Sequence, residues 1–592
     1  MQALATALVS LATAVVAVLP AAHVLSPSSA WAAIPVDLAW ACWGLALLGA
    51  VACLPGGLTR PRAFAVAAVS TSLFVLIYTL LFAPHWVVPN IDSGAYAQPL
   101  VQRTYAAYRS AGYPTFLRLV HAAAGLPNLV PVQLALELLC FMTALGILAR
   151  TYGLWLAAAL LAVLAGSLGV FVTFAAQLMT EALFVAGFTL AAAALAAAAR
   201  RPTTALYVIA GLGLAVAVSA KASGIVLVIP ALWLARFIPR REWRRAFICT
   251  VLLPVAVYAA MIVHGHRRTG GFMPEAAGGY ALAGHVARFL DDRVPDPPGL
   301  PGLVGALRDA VTPVLAARPP GLDRIRSKAT LDAYVDGTVS DYNVLLWDRM
   351  VPVAERYVDS RYNHAALNRV LMRVAIATVL VHPLDYAYHV AAHYYGLWRD
   401  LASGLATDLP AAAHAMRAGL AGLDDTGRAL LTRFIEPALP PLPGGAAMRV
   451  AADRQDAVPL AFRGLGLSVL GRPEVTLGIG VLALLLAGLA LVPGTLARAY
   501  AGEIMLALML DAYALAHALF QVTLGRYADV LMPVSLLLVV CLVATTLRLL
   551  RRALPNLQPR FMADRKDRVS GVPPLRDGVA AVPAMTAHSS RT

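Results

Sequence analysis

Long apolar runs separated by short polar segments dominate the chain. A helix needs roughly 20 residues at about 1.5 Å each to cross the hydrocarbon of a bilayer. The runs that approach this length are 4–24, 34–54, 63–83, 129–149, 153–175, 179–199, 203–219, 222–237, 246–264, 475–493, 499–519 and 529–549. The pattern therefore predicts an all-α membrane protein with about 12 transmembrane helices.

The bulk composition agrees with a lipid environment. The chain has 592 residues, of which 60% are hydrophobic and only 13% charged, and its formal net charge is +15. The arginines lie mostly between apolar runs and in the C-terminal tail, where the positive-inside rule accounts for them, so nucleic-acid binding is not predicted. The five cysteines fall inside apolar runs at positions 42, 53, 140, 249 and 541. This placement offers neither a disulfide framework nor a CxxC metal site.

The basic loops predict the orientation of the helices. In bacterial and eukaryotic membranes alike, short cytoplasmic loops carry an excess of Lys and Arg. At alternate crossings the basic residues are Arg60, Arg62, Arg150, Arg200, Arg201, Arg236, Arg240, Arg241, Arg244, Arg245, Arg498, Arg548, Arg551 and Arg552. Both termini are then cytoplasmic, and the stretches 84–128 and 265–474 lie outside.

The outer stretch 265–474 is polar and rich in Pro, Asp, Arg, Tyr and His. Helical patterns near 301–318, 323–349 and 364–395 predict a mostly helical extracytoplasmic cap. Three transmembrane helices follow within 475–550. The remainder, 551–592, has no apolar periodicity and is predicted to be a disordered cytoplasmic tail.

The first outer loop, 84–128, contains one carboxylate, Asp92, a few residues after a predicted helix. A carboxylate at the membrane–water boundary can meet a substrate that has a lipid tail and a polar head. Arg103 and Arg109 follow it, and the planar guanidinium group matches the oxygens of a phosphate. The alternative is that Asp92 only caps the helix that begins near Ser93.

Five segments, in order, resemble motifs of the GT-C superfamily, the integral membrane glycosyltransferases that use polyprenyl-phosphate sugars. Aminoarabinose transferases and protein O-mannosyltransferases are members. The segments are Asp92-Ser93 with Tyr96, similar to the acidic motif; Arg109-Ser110-Ala111-Gly112-Tyr113-Pro114, similar to RxPGYP; Met179-Thr180-Glu181, similar to the "SE" helix start; Ala220-Lys221-Ala222-Ser223-Gly224, at the place of the R-P-x-G turn; and Gly525-Arg526-Tyr527 with Pro533, similar to RYxxPxxP. The chain departs from the family pattern at Ala111, where Pro is usual, and at Lys221-Ala222, where Arg-Pro is usual.

The resemblance implies an architecture and an activity. The seven predicted helices of 63–264 match the family's shared module, and the two helices of 1–62 are then an N-terminal addition. The implied enzyme transfers a hexosyl or pentosyl group from a polyprenyl-phosphate donor to a lipid, glycan or protein acceptor. It would lie among the lipids of a bacterial plasma (inner) membrane, with its active site facing the periplasm or exterior.

The resemblance also implies roles for residues. Asp92 would be the base that removes the acceptor proton. The residues implied to bind substrate are Tyr96, Arg103, Arg109, Tyr113, Glu181, Lys221, Arg526 and Tyr527. Two of these have simpler explanations, because Lys221 could snorkel from a helix end to the interface and Glu181 could be a first-turn acid that favours the helix dipole.

Two other functions are compatible with the pattern. A transporter or flippase of lipid-linked substrates would show repeated halves with interrupted helices, and no such repeat is found. A non-catalytic binder of a lipid-linked glycan is the other alternative, because motif positions are substituted.

The sequence was also searched for nucleotide-binding and metal-binding motifs. The chain has no GxGxxG unit, Walker A sequence or HExxH, so chemistry with soluble nucleotides is not predicted. His389 and His393 are four residues apart and share a helix face that could bind a metal. A third ligand at a suitable spacing is not evident. We therefore predict no cofactor and no metal site, and a divalent metal is the alternative.

Overall fold

The computed structural model describes residues 33–53, 60–82, 93–101, 109–167, 171–175, 178–318, 327–358, 364–401, 472–522 and 525–553. All regular secondary structure in these ranges is helical. The all-α prediction is confirmed for this part of the chain. The predicted first helix, 4–24, and residues 554–592 of the predicted tail lie outside the described residues.

The N-terminal described part contains seven α-helices. They are α1 (Ala33–Val51), α2 (Arg60–Phe82), α3 (Ser93–Val101), α4 (Gly112–Ala124), α5 (Leu129–Tyr152), α6 (Trp155–Ser167) and α7 (Val172–Ala175). The predicted span 153–175 therefore comprises two helical pieces.

The central part begins with the long helices α8 (Glu181–Arg200) and α9 (Thr204–Ala220). The predicted helix 222–237 is irregular: a 3₁₀ segment, Ala222–Leu227, leads into the short α10 (Val228–Trp233) and a second 3₁₀ segment, Leu234–Arg236. The predicted helix 246–264 consists of α11 (Trp243–Phe247), a π segment (Ile248–Leu252) and α12 (Leu253–Thr269).

The regular elements described within 265–474 are helices, and four of the six overlap the predicted patterns. The helices are α13 (Gly278–Val286), α14 (Leu303–Ala316), α15 (Lys328–Asn343), α16 (Val351–Val358), α17 (His364–Val381) and α18 (Pro383–Arg399). The C-terminal helices are α19 (Pro473–Leu489), α20 (Thr495–Ala499), α21 (Ala501–Phe520), α22 (Gly525–Asp529) and α23 (Met532–Ala553).

Seven helical segments in the described residues are long and apolar enough to cross a membrane, and five shorter apolar helices accompany them. The seven are Arg60–Ile77, Leu129–Tyr152, Glu181–Arg200, Arg240–Thr269, His364–Val381, Ala501–Phe520 and Met532–Leu550. These segments identify an integral membrane protein. One of them, His364–Val381, falls in the stretch that the sequence assigned to the cap, so the count of 12 crossings and the cap stay predictions.

The centre of the helix bundle is α8, whose side chains are almost all buried. Its many alanines allow neighbouring helices to approach closely. At Gly187 an added Cβ would lie 2.5 Å from the Gly213 carbonyl oxygen of α9, and at Gly213 it would lie 2.7 Å from the Gly187 carbonyl oxygen. Only glycine permits this backbone contact.

The two ends of the bundle differ in chemistry. At one end, Arg200 of α8 forms a 2.9 Å ion pair with Glu503 of α21, and its guanidinium lies 4.4 Å from the Tyr152 ring centroid. Arg150 and Arg498, which the sequence placed in cytoplasmic loops, are near these residues in the chain. At the other end of α8 lies Glu181. The polar residues described next belong to this second end.

Candidate functional site

A buried ion pair stands at the centre of the second end of the bundle. Lys221 Nζ donates to Glu181 Oε1 across 3.0 Å, and the side chains are 16% and 2% exposed. Thr180 Oγ1 also donates to Glu181 Oε2, at 3.2 Å. Glu181 is thus more than a first-turn acid, because it is held by a lysine from another helix end. Lys221 correspondingly has a partner inside the protein.

An arginine and an aromatic ring adjoin this pair. Lys221 Nζ lies 4.4 Å from the ring centroid of Tyr527, and the Arg526 guanidinium lies 5.0 Å from it. Arg526 Nη2 donates to the Tyr527 hydroxyl at 3.0 Å. Lys221 and Arg526 both act electrostatically on the Glu181 carboxylate. Two cations therefore lie beside the same tyrosine ring and act on one buried carboxylate.

The backbone explains why these side chains meet. Lys221 has an extended conformation, with φ −133° and ψ 125°, which ends α9 and turns its side chain out of the helical path. The 3₁₀ segment that follows carries Gly224, where an added Cβ would lie 3.0 Å from backbone atoms of Ala217. The glycine of this turn thus keeps the segment close to α9.

A second group of residues packs against the same end of α9. At Gly112 an added Cβ would lie 1.9 Å from the Ser219 carbonyl oxygen, so the glycine of the Arg109–Pro114 motif is required by close packing. Ser110 Oγ donates to the Ala220 carbonyl oxygen at 3.3 Å, and the Ser110 N–H donates to Glu275 Oε2 at 3.1 Å. This motif is therefore joined to the residue directly before Lys221.

Three of the predicted residues, Tyr96, Arg109 and Tyr113, contact one another in this second group. The Arg109 guanidinium lies 5.1 Å from the Tyr96 ring centroid, and the Tyr96 and Tyr113 rings meet edge to face at 5.3 Å. The Tyr113 hydroxyl donates to Gln133 Oε1 at 2.7 Å, and Gln133 in turn donates to the Ala175 carbonyl oxygen at 2.8 Å. The hydrogen bonds connect α4, α5 and α7, and the ring contact adds α3.

Glu275 is a site residue that the sequence did not indicate. Burial raises the pKa of its carboxyl, while Arg109, the Ser110 N–H and Lys221 act in the opposite direction. No recognisable motif surrounds Glu275 in the chain, and it reaches the site only because the segment after α12 folds back onto Ser110. The His517 ring packs 5.0 Å from that of Tyr527.

Seven of the nine predicted site residues fall within the described residues, and the structure brings all seven to this end of the bundle. They are Tyr96, Arg109, Tyr113, Glu181, Lys221, Arg526 and Tyr527. The predicted base, Asp92, and the predicted ligand Arg103 lie outside the described residues. Within the described residues, the arrangement offers cations and aromatic faces suited to an anion.

Each carboxylate of this site accepts hydrogen bonds, Glu181 from Lys221 and Thr180, and Glu275 from the Ser110 N–H. Among the described residues, one group of at least three side chains could hold a metal ion, and it consists of His285, His389 and His393. The sequence offers no third ligand at a suitable spacing for His389 and His393, and the fold places His285 beside them. His285 lies in α13, more than a hundred residues away, so no local spacing could reveal it.

A comparison with models of known protein families finds no matching family, and comparisons with curated proteins and with solved structures find no match. The resemblance to the GT-C superfamily therefore rests on the motifs of the sequence.

Proposed function

We propose that this chain is a membrane glycosyltransferase of the GT-C type. It would take a sugar from a polyprenyl-phosphate donor and transfer it to a lipid, glycan or protein acceptor on the extracytoplasmic face of a bacterial plasma membrane. The observation that supports this proposal is the convergence of Lys221, Arg526 and Arg109 at one end of the bundle, from segments far apart in the sequence.

The chemistry of the donor explains why cations matter. In this reaction the bond between the sugar and the phosphate breaks, and the phosphate leaves with the bonding electron pair. Preorganised cations stabilise the charge that develops on such a leaving group. Lys221 and Arg526 would contact the phosphate, and the apolar helices below them would contact the polyprenyl chain.

The position of the site within the bundle favours an outer location. The Arg200 end of α8 holds the residues that the basic-loop rule assigns to the cytoplasm. Glu181 and Lys221 stand at the opposite end of the same helix pair. A polyprenyl phosphate carries its head group at the membrane surface, so this end would receive it from the lipid.

The acceptor needs a base, and Asp92 remains our candidate. In the sequence it directly precedes α3, the helix that carries Tyr96 into the site. An ionised carboxylate would take the acceptor hydroxyl proton as the hydroxyl oxygen attacks the sugar carbon. The described residues offer Glu181 as the next candidate.

The proposal can be tested by measuring polyprenyl-phosphate binding to the purified chain in nanodiscs. Arg526→Gln should weaken binding by roughly tenfold or more, because a hydrogen bond to a charged group contributes about 1.5 to 3 kcal/mol. Arg498→Gln is the matched control, since Arg498 is exposed in the short α20 near the opposite end of the bundle. It should leave the affinity unchanged.

Turnover then separates the three candidate functions. A glycosyltransferase consumes a radiolabelled polyprenyl-phosphate sugar and labels an acceptor from the same cell envelope. A flippase moves the donor between leaflets of a vesicle without consuming it, and a binder does neither. Equal affinity of the wild type and Arg526→Gln would contradict the assignment of the phosphate to this site.

A further inference from the structure

Three histidine rings meet in the protein interior, apart from the site described above. His285 comes from α13, and His389 and His393 come from successive turns of α18. All three side chains are buried, at 1% exposure or less. Their ring centroids are 4.3 to 5.0 Å apart, and one nitrogen of each lies within 4.8 Å of the other two.

Hydrogen bonds hold one ring nitrogen of His285 and one of His389. His285 Nε2 lies 2.9 Å from the Ala518 carbonyl oxygen, which can only accept, so this nitrogen carries the proton and Nδ1 keeps its lone pair. His389 Nδ1 lies 2.8 Å from the Tyr334 hydroxyl. His285 Nδ1 is buried, and no hydrogen-bond donor is found for it among the described residues. Burying such an acceptor without a partner is unfavourable.

We propose that His285, His389 and His393 bind a divalent metal ion of the zinc class. Neutral imidazole nitrogens are preferred ligands of Zn²⁺, and an i, i+4 histidine pair completed by a third histidine is a common ligand set. Metal-bound histidines usually anchor their second nitrogen on a carbonyl or other polar group. Ala518 and Tyr334 supply such anchors to two of the three rings.

The size of the cluster is compatible with one ion. Four-coordinate Zn²⁺ has Zn–N distances of about 2.0 to 2.1 Å, which places its nitrogen ligands about 3.3 Å apart. The ring nitrogens lie within 4.8 Å of one another. An inward shift of each ring by about 1 Å, which small side-chain rotations can supply, would bring the nitrogens to the distance that zinc requires. The fourth position would take water or an anion.

The charge state of the rings suits a metal. Burial lowers the pKa of His285 to about 3 and the pKa of His389 and His393 well below the usual value, and the Arg288 guanidinium acts in the same direction. Ligation requires the neutral form of each ring, and burial favours that form. Arg288 Nη1 donates a hydrogen bond to Thr338 Oγ1 at 2.9 Å.

The ion would stabilise the contact between α13, α18 and the end of α21. The Ala518 carbonyl that holds His285 and the Leu519 carbonyl that accepts from Tyr386 are adjacent in α21. α18 also packs against α22, which carries Arg526. The proposed role is structural, and it does not depend on the proposed transferase activity.

Zinc content measured by mass spectrometry tests the proposal. The full chain, purified without a histidine tag, is treated with chelator, incubated with Zn²⁺ and desalted. The wild type should retain about one zinc per chain, as should His121→Gln, a control at an exposed histidine of α4. His389→Gln with His393→Gln should bind at least roughly tenfold more weakly, and Tyr334→Phe should bind roughly tenfold more weakly through loss of an anchor.

Two results would overturn the proposal. One is equal zinc content in the wild type and in the double variant. The other is a wild-type chain that binds no zinc, or whose Co²⁺ form lacks the visible bands of a four-coordinate site; the cluster is then filled by packing or water alone. The Co²⁺ spectrum uses only the wild type, so it decides the question even if the double variant does not fold.

Discussion

The ion pair between Lys221 and Glu181 gives one lysine two roles, and a pair of substitutions can separate them. Lys221→Met deletes the charge and retains most of the apolar stem. It also leaves Glu181, which is 2% exposed, without its closest cation. The single variant therefore perturbs both folding and phosphate binding. Adding Glu181→Gln removes the isolated carboxylate and leaves only the binding defect.

The expected loss of stability follows from the geometry. At 3.0 Å and an effective dielectric constant of about 20, two unit charges attract by roughly 5 to 6 kcal/mol before desolvation is counted. Removing one partner of a buried pair typically costs about 3 to 5 kcal/mol. Because Arg526 also acts on Glu181, we expect Lys221→Met to lower the free energy of unfolding by about 3 kcal/mol. The double variant should recover to within about 1 kcal/mol of the wild type.

Binding and stability should respond differently across the set of variants. The free energy of unfolding is measured by denaturant titration in mixed micelles, and affinity by polyprenyl-phosphate binding in nanodiscs. We expect the double variant to regain stability while its affinity stays at least roughly tenfold below the wild type, since one charge-assisted contact is missing. Lys221→Arg keeps the charge and should be largely tolerated in both assays.

Two outcomes would refute this reasoning. If the double variant binds polyprenyl phosphate as tightly as the wild type, Lys221 serves only to neutralise Glu181. If Lys221→Met is as stable as the wild type, the two side chains do not form a buried pair.

Three further predictions concern the base, the pH dependence and the topology. Asp92→Asn should lower transfer by roughly 10² or more with folding unchanged, whereas a capping role alone would leave activity intact because Asn caps as well as Asp. Binding of a polyprenyl-phosphate sugar should strengthen as pH falls through the raised pKa of Glu275, because protonation removes a negative charge beside Arg109. Glu275→Gln should bind tightly at every pH. If this variant showed the same pH dependence of binding as the wild type, Glu275 would not be the titrating group. Cysteines placed at Leu300 and Trp243 should be labelled from opposite sides of the membrane, and labelling from the same side would refute the 12-helix topology.

The helical class and the positions of most helices were predictable from the sequence. An apolar run of sufficient length must form a helix in lipid, because only a helix satisfies its own backbone hydrogen bonds there. This rule uses local composition alone. It is weaker where composition is ambiguous, as in His364–Val381, which the sequence placed in the cap and which is apolar enough to span. The rule also does not predict the 3₁₀ segment after Lys221.

The site motifs were predictable as separate short patterns, but their chemistry was decided by the tertiary structure. The family resemblance implied that Glu181 and Lys221 bind substrate, and only the tertiary structure revealed that they form an ion pair. The sequence did not indicate Glu275, and it found only two of the three clustered histidines. Such contacts depend on how the helices rotate and approach one another. Glycines in close backbone contact help to set this arrangement, and they join segments that are far apart in the sequence. Local patterns therefore determined the helices, and interhelical packing determined which charges and ring nitrogens meet.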